Sequence, residues 1–89
     1  MTELYLEVTF RRGQPLAAYL YLPRQSRERS FRTSKADPGL IIDFNRGGKP
    51  IGIEITIPAK LTVAALNKVL HNLGVPPVKR SDLAPLRAA

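Results

Sequence analysis

Across the first ten residues, MTELYLEVTF, apolar and polar positions alternate: Leu4, Leu6, Val8 and Phe10 share one face, Tyr5, Glu7 and Thr9 the other. A period of two predicts a half-buried strand. The run LAAYLYL repeats it, with Ala18, Leu20 and Leu22 set against Tyr19 and Tyr21. A hairpin through RRGQP that brings apolar to apolar pairs Leu4 with Leu22, Leu6 with Leu20 and Val8 with Ala18. The same register puts Tyr5 opposite Tyr21 and Glu7 opposite Tyr19. A slip of one residue mixes the faces and a slip of two does not, so the loop length stays open.

The next stretch, PRQSRER, is too charged for a core and predicts a loop, followed by a weak edge strand over about residues 30–35 in which only Phe31 is strongly apolar. DPG then suits a type II turn, with proline at the second position and glycine at the third. Leu40, Ile42 and Phe44 alternate with Ile41 and Asp43, NRGG closes a further hairpin, and Ile51, Ile53, Ile55 and Ile57 line one face of the last strand against Gly52, Glu54 and Thr56. Pro58 stops that strand. A helix is expected over residues 61–74, with Thr62 as N-cap, Leu61 stapled to Leu66, and Gly74 followed by Pro76 and Pro77 at its end. Its stripe of Val63, Leu66, Val69, Leu70 and Leu73 must be buried on the apolar sheet face or on a partner. The expected fold is therefore α+β: an antiparallel five-stranded meander-like sheet with one C-terminal helix packed on the face formed by Leu4, Leu6, Val8, Leu20, Leu22, Ile42, Ile53 and Ile55. Residues 1–75 make the single β-rich domain; 76–89 form a Pro-containing tail, without periodicity and expected to fray.

A chain of 89 residues makes one domain with a modest core. It has no cysteine, hence no disulfide framework, thiolate zinc site or thiol nucleophile. The N-terminus lacks a basic start and an uninterrupted apolar core, and no run reaches membrane-spanning length, so a cytoplasmic protein without a membrane partner is expected. Fourteen basic against seven acidic residues give a net charge of +7, enough to attract polyanions or an acidic partner. An Arg-, Leu- and Pro-rich composition also arises in thermophilic or high-GC hosts for reasons unrelated to binding.

Asp43 and Glu54 fall on the polar sheet face, near one another across a hairpin, and paired carboxylates can work as acid and base or hold a divalent cation. The alternative is that Asp37 initiates a turn while Asp43 and Glu54 balance nearby cations. Without a second histidine, a cysteine or an enclosed pocket, the second reading is preferred: no catalytic residue, no metal ligand and no cofactor are assigned. His71, the only histidine, lies beside the helical stripe and reads as solvated. Ser26, Ser30, Ser34 and Ser81 lack a nucleophile context, and NRGGK leads into no helix. Alternating strands gather Arg24, Arg27, Arg29, Arg46 and Lys49 at one end, opposed by Glu28, as candidate contacts for nucleic acid or an acidic partner. Arg11, Arg12, Lys35 and Lys60 belong to the other end. Tyr5, Tyr19 and Tyr21 project from the polar face, where they can stack on bases, pair across strands or line a homodimer interface.

Three stretches, AAYLYL, DPGLIIDFN and GKPIGIEI, together resemble a family of short bacterial proteins known as a domain of unknown function, whose core runs A-L-Y-I-x-L, D-P-G-V-I-L-D-Y-D and G-x-x-x-G-I-E-I. Tyr19, Asp37, Pro38, Gly39, Asp43, Gly48, Gly52, Ile53, Glu54 and Ile55 fall on that core. The resemblance implies a small antiparallel sheet with a helix, no known enzymatic activity and, in some members, a place in gene pairs like those of toxins and antitoxins. This chain departs in carrying RRGQP where members carry an acidic first turn, and in being basic. The expectation is a noncatalytic protein-interaction module, a homo-oligomer or the partner of a small protein. The alternative is a basic nucleic-acid-binding protein using phosphate contacts.

Overall fold

The computed structural model describes residues 4–23 and 28–87. Strands β1 (Tyr5–Arg11) and β2 (Gln14–Tyr21) form a hairpin with Tyr5 opposite Tyr21, Leu6 opposite Leu20, Glu7 opposite Tyr19 and Val8 opposite Ala18. This is the register the alternation predicts. The turn is only Arg12 and Gly13, both at positive φ (54° and 78°), a two-residue geometry whose twist suits the flanking strands. The ladder shifts between Thr9 and Phe10, so that Phe10 pairs with Pro15 and Leu16 is bulged out.

Strands β3 (Arg32–Ala36), β4 (Leu40–Phe44) and β5 (Pro50–Ile55) follow, and the five-stranded sheet is antiparallel throughout with the order β1-β2-β5-β4-β3. The expected meander is corrected here: β5, not β3, lies beside β2. Burial explains the order. Ile51, Ile53 and Ile55 of β5 are fully covered, which demands a central position, whereas RTSKA in β3 is exposed at four of five positions and suits an edge. The edge character expected of that segment stands, but the strand starts at Arg32 and leaves Phe31 outside it, 60% exposed. Ile57 lies past the end of β5 and is also exposed. Between β3 and β4 the turn 37–39 contains a cis peptide bond before Pro38 and has Gly39 at φ 66°.

A 3₁₀ turn at Pro58–Lys60 leads to helix α1 (Val63–Asn72), slightly shorter than predicted. Thr62 caps it as expected, its hydroxyl accepting from the Ala65 amide at 3.1 Å, which satisfies one of the unpaired N-terminal donors. Leu66 and Leu70 are fully buried and fall in one hydrophobic cluster with Leu20, Leu22, Ile42, Ile53, Ile55 and Leu61; Val63, Val69 and Leu73 pack against it, as do Leu4, Leu6 and Val8. No helix among the described residues is long and apolar enough to cross a membrane.

The stretch after Gly74 is not the unpacked tail its lack of periodicity suggests. Asn67 on α1 holds Val78 by both backbone groups, Oδ1 accepting from its amide at 2.8 Å and Nδ2 donating to its carbonyl at 3.1 Å. The chain then winds into a 3₁₀ segment (Arg80–Arg87) that buries Leu83 and Leu86 in the same cluster. A threefold eclipsed turn brings residues three apart onto one side, which is the spacing of Leu83 and Leu86. Leu83→Ala is accordingly expected to lower the unfolding free energy in urea by about 2–5 kcal/mol. Leu16→Ala, at a half-exposed bulge, should stay within about 0.5 kcal/mol. Equal, small effects at both positions would remove the C-terminal segment from the core.

Candidate functional site

On the sheet face opposite the aliphatic core, the ladder places Glu54 across from Tyr19, and Gly52 between Tyr21 and Asp43. Gly52 is what lets these side chains meet. A Cβ at that position would collide with the hydroxyl and ring of Tyr19, so only a residue without a side chain allows the phenol to lie over β5. Reaching across, Tyr19 donates its hydroxyl to Asp43 Oδ2 at 2.6 Å. Ser30, in the β2–β3 connection, donates to Asp43 Oδ1 at 3.1 Å. One half-buried carboxylate thus ties β2, β4 and the residue Ser30 that stands ahead of β3.

The tyrosines continue in a row. Tyr19 and Tyr21 meet edge to face, with ring centroids 4.7 Å apart at 65°, and Tyr5 lies 5.7 Å from Tyr21 at 42°. Tyr21 also donates to Glu7 Oε1 across the hairpin, at a long 3.4 Å. Tyr5, at the end of the row, is 52% exposed. The two carboxylates singled out in the sequence share this face but sit diagonally, since Asp43 pairs with Gly52 and Glu54 with Ile41. Asp43 already accepts from two hydroxyls, and among the described residues no group of three or more His, Cys, Asp or Glu could hold a metal ion. Asp37 stands in the turn 37–39, and His71 is exposed.

Of the basic cluster, Arg24 and Arg27 lie outside the described residues. Arg29 and Arg46 come together, lining an open depression of about 500 Å³ with Ser30, Phe31, Asn45 and Gly47. Lys49 closes the adjoining turn, where its amide donates to Asn45 Oδ1 at 2.9 Å; Asn45 Nδ2 donates to Glu28 Oε1 at 2.9 Å. The Arg46 guanidinium stands 4.8 Å from the centroid of Phe31, and that of Arg32 stands 4.3 Å from Phe44. Sequence reasoning missed Phe31 and Ser30 as members of these sites. It also took Gly52 for a plain strand position, although a glycine inside GIEI is itself a signal of close approach.

Residues 17–56 match the model of a family described as a protein of unknown function (DUF2283). That segment contains the three stretches on which the family resemblance rests. No curated protein and no solved structure matches the chain.

The geometry around Asp43 sets an expectation for stability. Tyr19→Phe should cost about 1.5 kcal/mol, near the lower end for a hydrogen bond to a charged group, and nearly nothing in an Asp43→Ala background. Gly52→Ala should remove the same coupling by displacing the ring. Additive losses in the double-mutant cycle, measured by urea denaturation, would show that the bond contributes nothing.

Proposed function

We propose that this DUF2283-containing chain is a noncatalytic protein-interaction module that self-associates through its tyrosine face. The observation that carries the reading is the row Tyr5, Tyr21, Tyr19, whose rings pack on one another and end on the Asp43 carboxylate. Rings already held by neighbours lose little freedom on docking, and tyrosine offers apolar area together with a polar tip. Such residues are enriched at protein interfaces. The face also suits a copy of itself. Glu7 and Glu54 supply acceptors and Lys35, on the same side of β3, supplies a donor, so a two-fold axis can set unlike charges opposite each other.

The reading takes α1 and the 3₁₀ segment Arg80–Arg87 to cover the aliphatic face, which leaves the tyrosine face to a partner. Burial of Leu66, Leu70, Leu83 and Leu86 in one cluster with the sheet residues supports this. A cytoplasmic homodimer is the setting it fits.

Sedimentation equilibrium over a range of concentrations tests the proposal. The wild-type chain should reach a dimer. Tyr5→Asp, at a half-exposed position, should shift the equilibrium to monomer by at least tenfold while leaving the circular dichroism spectrum and urea midpoint close to wild type. A chain that stays monomeric at every concentration would overturn self-association. Were such a monomer instead to bind a small co-expressed protein through Tyr5, the face would be a heterodimer surface, as the resemblance to a family with some members in toxin- and antitoxin-like gene pairs implies.

A further inference from the structure

We infer that the end of the sheet formed by residues 29–31 and the β4–β5 turn is a binding site for single-stranded nucleic acid, with Phe31 as the base-stacking platform and Arg29, Arg46 and Lys49 as phosphate contacts. It shares no residue with the tyrosine row and does not depend on self-association.

The aromatic is the first observation. Phe31 is 60% exposed even though the Arg46 guanidinium covers part of its ring, so apolar ring surface remains open to solvent beside a fixed cation. It lies outside the core cluster: it precedes β3, and its amide donates to the Phe44 carbonyl at 2.8 Å, which fixes the backbone while the ring stays exposed. A planar base can stack on such a ring or on the guanidinium plane against it, whatever its identity.

Charge is the second. Arg29 and Arg46 line the same depression as Phe31, and Lys49 is in the adjoining turn. All three are exposed. The acids nearby are engaged: Glu28 accepts from Asn45, and Asp43 accepts from Ser30 and Tyr19. The turn that carries Arg46 is held by the Asn45 amide donating to the Lys49 carbonyl at 2.8 Å and the Gly48 amide donating to the Asn45 carbonyl at 3.0 Å, so Arg46 and Lys49 are presented from a closed hairpin. A chain of net charge +7 adds long-range attraction for a polyanion. An acidic peptide would satisfy the cations but would leave the exposed ring without a planar partner, and a duplex keeps its bases stacked inside. A single strand uses both features.

The test is fluorescence anisotropy with labelled oligo-dT and oligo-U against the full chain at several salt concentrations. For three phosphates, log affinity should fall against log salt with a slope of about −2, at about 0.7 per phosphate on a single strand. Phe31→Ala should weaken binding about 5- to 150-fold with little change in slope. Arg46→Ala should reduce the slope by about 0.7, whereas Lys68→Ala, an exposed cation on α1 outside the site, should leave affinity within about twofold. Far-UV circular dichroism confirms that each variant is folded, and Phe31 and Arg46 are exposed enough to be replaced without loss of the core. Any of four results overturns the site: no binding at low salt, duplex bound as tightly as single strand, indifference to Phe31→Ala, or equal losses from Arg46→Ala and Lys68→Ala. Competition by poly-glutamate at equal charge concentration would also overturn it, in favour of an acidic protein partner.

Discussion

Strand β5 has to serve two faces at once, and the bond from the Tyr19 hydroxyl to Asp43 laid over its Gly52 is the contact through which it does so. Along the sheet, the β1–β2 hairpin stands beside the three strands β5, β4 and β3. Their strands pair along β2 and β5, from Ala18 opposite Ile55 to Tyr21 opposite Gly52, and a backbone bond from the Leu22 amide to the Ile51 carbonyl extends that seam. Beneath the seam, Leu20, Ile53 and Ile55 supply non-directional burial. Above it, the Tyr19 phenol crosses to β4 and gives direction. A β5 with a side chain at position 52 would keep the burial and lose the crossing.

The same contact arranges both surfaces. Holding Tyr19 flat fixes the ring against which Tyr21 packs, and through Tyr21 the position of Tyr5. On the other side of the carboxylate, Ser30 is tied next to Phe31. The tyrosine row and the Arg–Phe depression are therefore chemically separate surfaces built from one anchored segment. A chain of this size has a small interior, and the two surfaces proposed for recognition lie on a sheet face and a sheet end.

Local chemistry was the most legible part of the sequence. The hairpin register followed from matching Leu6 to Leu20 and Val8 to Ala18, and the cap at Thr62 from a threonine standing before a helical stripe. Both depend on neighbours close along the chain. The place of β5 was harder, because its pairing with β2 joins segments more than thirty residues apart and is decided by which strand most needs covering. The polar composition of β3 did contain that answer, since an edge strand cannot sit third of five in a meander. Leu83 and Leu86 were misread because their spacing belongs to a 3₁₀ turn, not an α-helix, and because the Asn67 clamp on Val78 leaves no periodic trace. Phe31 was placed in the weak edge strand over about residues 30–35, and the structure leaves it outside β3 with its ring exposed.

Both surfaces depend on Tyr19 lying over Gly52, and proton NMR of the assigned backbone reads that arrangement directly. A ring above the strand should move the Gly52 α-protons well upfield of the range for glycine in a sheet, give cross-relaxation between those protons and the Tyr19 ring, and lose both signatures in Tyr19→Leu. Gly52 α-protons at ordinary shifts, with no contact to the Tyr19 ring, would contradict it.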